Sequence, residues 1–594
     1  MRSIRIVLFA LLVMLGFAAP AIAQEDEKVL RLAIRTDGPK SLDPVEGSTT
    51  YDNMAVSQIY ETLLVNKYSD PYVYEPLLLA ELPTSDDGGK TWRFRLKDGV
   101  RFHDNACFPG GRGREITTDD VFYSWKRVVD AKHKLENYWL LQNQIQGFDA
   151  FQEEQNAAGS FDYDAPVSGF RKISDSEFEV ALTKPLTQFL WKLTMFQTAV
   201  VAREAVEYYG DDFRFNPVGT GPFMLVDTGD WVPKQKLHLV TNPNYHEVLY
   251  PERSEWSRED RRKRLHRYAG RAAPFVDRLE FTMFPQDQPM WLQFRSGQVG
   301  YIQVPDEYYE EAFDEQTRDL RPSFAAEGVQ FHNARLLDFI FRGFNMEDEV
   351  LGAPAGERGK LLRQAISLAM DLDEFNRRFY SGNNIVYDGP IPPNLDGHPE
   401  EGERVNPYRG PNLQLARQKL AEAGYPDGDG LDPIAYYTTR NSLNMEMGEL
   451  TKRQLARVGV RVNVYPVDFS TLIETVNGKN APMFTFAWSS DYPDAENNLA
   501  LFYGPNESPG SNHYNYKNDE YDRMYQQILT MLPGPERTEV YVRMRDMLLE
   551  DVPYIGSMAR KRHYLINPWL LNCRPTERFT AWIKFLDVDE SRLP

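Results

Sequence analysis

Residues 87–104 read DGGKTWRFRLKDGVRFHD, and residues 117–127 read TTDDVFYSWKR. In the first stretch Trp92, Phe94 and Leu96 alternate with Arg93, Arg95 and Lys97, the period-two pattern of a half-buried strand. The preceding Gly88-Gly89 supplies a turn. Gly89-Lys90-Thr91 looks like the end of a phosphate loop, but Thr84 stands where the first glycine is required, so that reading fails. In the second stretch Thr118 is expected to cap a helix. Asp119 and Asp120 suit its positive end, and Val121, Trp125 and Val128 share one face.

The same two periodicities recur outward in both directions. Leu30, Leu32 and Ile34 mark a strand, as do Phe178, Val180 and Leu182. Leu362, Ile366, Ala369 and Leu372 form an apolar stripe. Asn412 caps a helix carrying Ala416 and Leu420, which Gly424 stops. Leu443, Met447, Leu450 and Val458 line another helix, followed by a strand over 461–465. Strands and helices alternating through 594 residues predict an α/β protein of more than one domain.

At the N-terminus, Arg2 and Arg5 precede an apolar run from Ile6 to Phe17 and an Ala21-Ile22-Ala23 site. This layout predicts a secretory leader over 1–23, cleaved before Gln24. The run is short for a bilayer span, which takes about 20 residues. No Cys follows the site, so lipid attachment is not expected, and the mature chain is expected in the periplasm. The net charge of −20 argues against nucleic acid as a partner, since phosphate contacts need a concentrated basic surface. Cys107 and Cys573 are read as unpaired thiols rather than a disulfide framework. The run Arg253–Arg271 is arginine-rich but interspersed with Glu252, Glu255, Glu259 and Asp260, and reads as a solvated helix. No zinc-binding His-Glu-x-x-His, Cys-x-x-Cys or Gly-x-Ser-x-Gly elbow occurs, so the chain is not expected to be an enzyme.

Several segments in order resemble the family 5 extracellular solute-binding proteins, receptors of peptide and nickel ABC importers. They are Ser41-Leu42-Asp43-Pro44 with Ile59–Val65, the 87–104 and 117–127 stretches, and Gly219-Thr220-Gly221-Pro222-Phe223. Arg363-Gln364-Ala365-Ile366, Leu420–Tyr425 and Trp488-Ser489-Ser490-Asp491-Tyr492-Pro493-Asp494 complete the series. The resemblance implies a periplasmic-binding-protein-like two-lobed fold with a discontinuous first lobe, an extra small domain and a hinge of two crossings. Lobe I would comprise 24–65, 190–337 and 556–594, the small domain 66–189, and lobe III 338–555. The implied function is capture of a peptide, oligopeptide rather than dipeptide, between closing lobes for delivery to ABC permease subunits in the inner membrane. No cofactor or metal is implied, and a monomer is expected. A nickel complex, saccharide or opine is the alternative ligand, and a secreted carboxylate-dependent hydrolase the remote alternative.

Asp491 is the leading site residue, because peptide-binding relatives use the Asp of the Trp-x-x-Asp motif to accept the peptide ammonium. A desolvated ammonium needs a charged acceptor. The competing reading is a turn cap before Pro493. Trp488 would wall a side-chain pocket, or fill core. Tyr138 and Trp139 stand where relatives place a cleft aromatic. Tyr436, Tyr437 and Asn441 follow a strand and are candidates for the ligand backbone, although Tyr is common in strands. Some relatives carry Arg three positions before the Trp to grip a short peptide's carboxylate; here that position is Thr485.

Overall fold

The computed structural model describes residues 27–594, apart from 36–37, 48, 134–136, 187, 315–316, 401 and 577–579. The leader expected over 1–23 lies outside the described residues. No helix among the described residues is long and apolar enough to cross a membrane.

The stretches that opened the sequence analysis build the small domain. Strand Thr91–Arg95 pairs antiparallel with Glu177–Ala181, setting Trp92 opposite Val180 and Phe94 opposite Phe178, with the two phenyl rings stacked at 4.9 Å. The Gly88-Gly89 turn is closed by paired hydrogen bonds between Thr84 and Arg93. The helix Thr118–Val128 follows, but its cap is Thr117, one residue earlier than expected. The Asp120 carboxylate accepts from the Thr117 backbone N–H at 2.8 Å, making Asp120 the third residue of a reciprocal capping box. At the far end of this helix Arg127 forms a buried two-pronged pair with Asp43, at 3.0 and 2.6 Å, tying it to the Ser41–Pro44 segment.

The first lobe holds Val29–Ile34 parallel to Arg278–Met283, which pairs antiparallel with Lys236–Thr241 and through it with Phe223–Met224. Leu30, Leu32 and Ile34 are fully buried, as their alternation predicts. One continuous apolar core runs through this lobe and the small domain, reaching from Leu30 through Trp125 to Val588. Gly219 and Gly221 let the chain pass against the backbone of Ile59. A Cβ on Gly219 would lie 2.1 Å from the Ile59 carbonyl oxygen, which excludes any other residue there.

The other lobe is built on a six-stranded sheet in the order Ile385–Val386, Tyr554–Ala559, Asp338–Phe344, Met483–Ser489, Ile434–Thr439, Val462–Val467. Alternation sends Phe339, Phe341 and Phe484 into a core on one face. It sends Met483 and Tyr436 into a second core on the other, with helix Glu357–Ala369. That helix stops at Ala369. Leu372, expected on its stripe, instead starts a second helix, Leu372–Phe379, capped by Asp371. Asn412 caps Leu413–Glu422 as expected.

Two strand-to-strand passages join the lobes, and they run side by side. Gln330–Arg335 leads into Asp338–Phe344, and Tyr554–Ala559 leads into Lys561–Ile566. The partners pair on both sides of the crossing: Gln330–Arg335 with Lys561–Ile566 in a three-stranded sheet, and Asp338–Phe344 with Tyr554–Ala559 in the six-stranded one. Strand Tyr554–Ala559 therefore spans the 555/556 point at which the lobe boundary was expected. Between the sheets Leu336 N–H donates to the Arg560 carbonyl at 3.0 Å. Arg560 also donates to the fully buried Asp338 carboxylate from Nε at 2.5 Å and Nη2 at 3.2 Å.

Candidate functional site

A cavity of about 720 Å³ lies at the junction of the two sheets. The six-stranded sheet contributes Arg342 and Thr485–Trp488 to its wall; the opposite wall carries Gln303, Tyr309 and Lys561–His563. The cavity exists because two parallel strands part company. Ile434–Thr439 pairs with Met483–Ser489 only at Tyr436↔Met483 and Tyr437↔Phe484, whereas Asp338–Phe344 pairs with it over seven residues. From Thr485 to Trp488 that strand has a strand neighbour on one side only. An extended ligand can add to such an edge through main-chain hydrogen bonds.

The Trp488–Asp494 segment sits at the end of this strand. Trp488 lines the cavity, and its Nε1–H donates to Asn497 Oδ1 at 2.9 Å. The same Asn497 oxygen accepts from the Asp491 N–H at 3.1 Å, and its Nδ2 donates to Asp491 Oδ2 at 3.2 Å. One buried asparagine on helix Ala495–Leu499 thus fixes both the indole and the carboxylate. Asp494 takes the role of helix cap, accepting from the Glu496 N–H at 2.9 Å, and it is paired with buried Arg537 at 2.7 Å. Asp491 is half-buried and is not among the residues lining this cavity.

Lys192, on the short helix Phe189–Lys192, approaches from the other lobe. Burial lowers its pKa to about 8, while Glu496 and Asp491 pull in the opposite direction. Its ammonium lies 5.7 Å from the ring centroid of Trp139, which is 39 % exposed. Trp139 is thereby linked through Lys192 to the neighbourhood of Asp491. Tyr138 is directed elsewhere, donating to Asp149 within the small domain.

The remaining candidates are placed as follows. Tyr436 is a core residue at 1 % exposure, its hydroxyl bonded to Thr485 Oγ1 across the diverging strands. Tyr437 stacks on Tyr465 at 5.2 Å. Asn441 caps helix Ser442–Ala456, its side chain accepting from the Asn444 N–H at 2.8 Å. None of the three lines the cavity, although Thr439, Leu443 and Asn444 beside them do. Leu443, expected on the buried stripe of its helix, is 41 % exposed and faces this space. The sequence reading did not single out Asn497, Lys192, Arg342, Tyr309 or the 561–563 run. Only the 561–563 run, Lys-Arg-His, carries a visible signal, its charge.

Cys107 and Cys573 are free thiols, both raised in pKa by burial, Cys107 to about 11. The arginine-rich run forms a five-residue helix, Arg258–Arg262, flanked by short turns rather than one solvated helix. Arg271 lies over the rings of Tyr268 and Phe275 at 4.4 and 4.8 Å.

The chain shares 24 % identity over 520 residues with heme-binding protein A of Haemophilus influenzae, covering 86 % of this chain and 83 % of that protein. It shares 24 % over 528 residues with oligopeptide-binding protein AppA of Bacillus subtilis, covering 86 % and 81 %. Its fold matches the unliganded open form of the periplasmic murein tripeptide-binding protein MppA with a TM-score of 0.72, at 19 % identity over 96 % of this chain and 98 % of the other. The model of the bacterial extracellular solute-binding proteins, family 5, matches residues 73–510, and the two-lobed, twice-hinged architecture agrees with it: this chain belongs to that family.

Proposed function

We propose that the protein is the extracytoplasmic receptor of an ABC importer and takes a peptide, an oligopeptide in preference to a dipeptide, between its lobes. The observation that carries this reading is the pairing of an open strand edge at Thr485–Trp488 with a carboxylate, Asp491, oriented at its end by Asn497. The edge supplies main-chain bonds that are indifferent to sequence, and the carboxylate supplies a charged acceptor for the peptide ammonium. Closure of the lobes over the ligand presents the closed form to membrane permease subunits. The leader, a periplasmic location and a monomeric state belong to the same proposal.

Calorimetry on the mature protein tests it. Asp491→Ala weakens binding of a free-amine peptide by at least ~1.5 kcal/mol, the lower figure for a hydrogen bond to a charged group. An N-acetylated peptide binds both forms alike. Equal affinity of wild type and variant for the free-amine peptide removes Asp491 from the site. A released ligand with no peptide bond, found by mass spectrometry, overturns the peptide reading itself.

A further inference from the structure

The wall of the interlobe cavity departs in charge from the protein around it. The chain carries a net charge of −20, yet the cavity is lined by Arg342, Arg560, Lys561 and Arg562 and, among the described residues, by no Asp or Glu. Arg342 is the unusual member. It sits mid-strand in Asp338–Phe344, is 3 % exposed, and lines the cavity. Its guanidinium lies over the Phe375 ring at 4.1 Å, and its Nε is buried with no hydrogen-bond partner. Among the described residues no carboxylate reaches it within ion-pair distance. A buried guanidinium without a counter-ion is costly, and native proteins rarely carry one without a use.

Other unsatisfied donors share the wall. Asn384 Nδ2, buried and unpartnered, lines the same cavity. His513 and His563 line it with ring nitrogens unpartnered, and burial holds both rings toward the neutral form. An incoming anion meets a planar fork of N–H donors and further donors, and the Asp338 carboxylate that pairs with Arg560 is not among the lining residues. Arg342 is also the strand partner of Thr485, so it stands beside the edge to which an extended ligand adds.

We propose that Arg342 receives a carboxylate of the ligand, gripping it with its guanidinium fork at the cavity wall. This rests on the peptide reading and deepens it. The ammonium is held at Asp491 and the carboxylate at Arg342, so the favoured ligand is a short zwitterionic peptide. Thr485, opposite Arg342, lies six positions before Asp491. The strand ends at Ser489, two residues before Asp491, so at ~3.3 Å per extended residue the two anchors are at most roughly 20 Å apart, which bounds the peptide at about six residues. The carboxylate has two sources, the peptide C-terminus or an acidic side chain.

The test titrates three pentapeptides by calorimetry: a free acid, its C-terminal amide, and an amide bearing one Glu. Each is run against the mature wild type, Arg342→Met and Arg342→Lys. The free acid is expected to bind wild type at least ~10-fold more tightly than the plain amide. Arg342→Met is expected to bind acid and amide within about 2-fold, because charge-assisted bonding is lost. Arg342→Lys is expected to keep part of the discrimination. If the Glu-bearing amide matches the free acid on wild type only, a side-chain carboxylate is the source and the proposal stands. The unliganded melting temperature separates a binding arginine from a structural one: Arg342→Met leaves it unchanged or raises it. Failure of wild type to distinguish acid from amide, or discrimination retained in Arg342→Met, overturns the proposal while leaving the peptide reading intact. A large fall in the unliganded melting temperature of Arg342→Met also overturns it. If no peptide binds, the peptide reading fails first. Mass spectrometry of ligand released from wild type then decides: an acidic ligand absent from Arg342→Met supports the arginine, and a ligand without an acidic group overturns it.

Discussion

Asn497 joins two side chains that the sequence separates from it by nine and six positions, Trp488 and Asp491. A tryptophan free to rotate and a carboxylate free to swing bind a ligand only after losing that freedom, and the asparagine removes the loss in advance. Asn497→Ala is therefore expected to weaken ligand binding by about 1–2 kcal/mol, the worth of two or three hydrogen bonds less partial rescue by water. The indole fluorescence of Trp488 should change in the unliganded variant. Intact affinity in calorimetry would show that Asp491 holds its position without help. The Trp-x-x-Asp pattern that singles out Trp488 and Asp491 was legible because its spacing is local. Asn497 was not, since an asparagine beside another asparagine carries no pattern. Tyr436 misled for the opposite reason: expected to follow a strand, it lies within Ile434–Thr439 on the face turned to the core, and period-two alternation does not say which face is which.

Elements were more legible than contacts. The alternations at 30–34, 92–96 and 178–182 became strands, and two of these pair with each other. Where expectation slipped, a local competitor decided. Thr117 won the cap because Asp120 lies three residues beyond it. Asp371 cut the apolar stripe by capping a new helix before Leu372. The two crossings of the hinge followed from the family resemblance, but the ion pair inside it was not legible, because it joins Asp338 to Arg560 across 222 positions. Its energetics are testable. Asp338 is fully buried while the Arg560 side chain is 37 % exposed, so loss of the carboxylate leaves a cation that water can still reach. Asp338→Ala should lower the urea-derived folding free energy by about 1–3 kcal/mol. Arg95→Ala, which removes an exposed pair with Glu81 at 3.2 Å, should stay within about 0.5 kcal/mol. Equal costs for the two variants would mean that the hinge pair contributes no more than a surface one.

For the whole molecule, stability should depend on keeping buried histidines neutral. His103 stands next to last in the opening stretch and locks it to Gly219–Gly221. The Gly219 N–H donates to Nδ1 at 3.3 Å, and Nε2 lies 3.0 Å from the Gly221 carbonyl. Only the neutral ring with its proton on Nε2 serves both, since a protonated Nδ1 cannot accept. Burial holds the His103 pKa down to about 4, and it does the same for His332 and His563. The unfolded chain titrates near 6.5, so between pH 6.5 and 4 it binds protons that the folded chain refuses. The contribution is fully present above pH 6.5 and is lost as pH falls toward 4. Glu61, held at about 2 against its own burial by His246 and Lys584, extends the loss below pH 4.5. Glu75 and Glu496, raised by burial, act in the opposite sense and partly offset the decline. A single variant isolates the histidine effect from these. His103→Gln should lose stability at pH 7, where the ring's two bonds are intact, and should recover about 2–3 kcal/mol relative to wild type by pH 4.5. Urea unfolding at both pH values reads this directly. Parallel pH curves for the two proteins would mean that the ring accepts a proton in place, without disturbing the contact between the small domain and the first lobe.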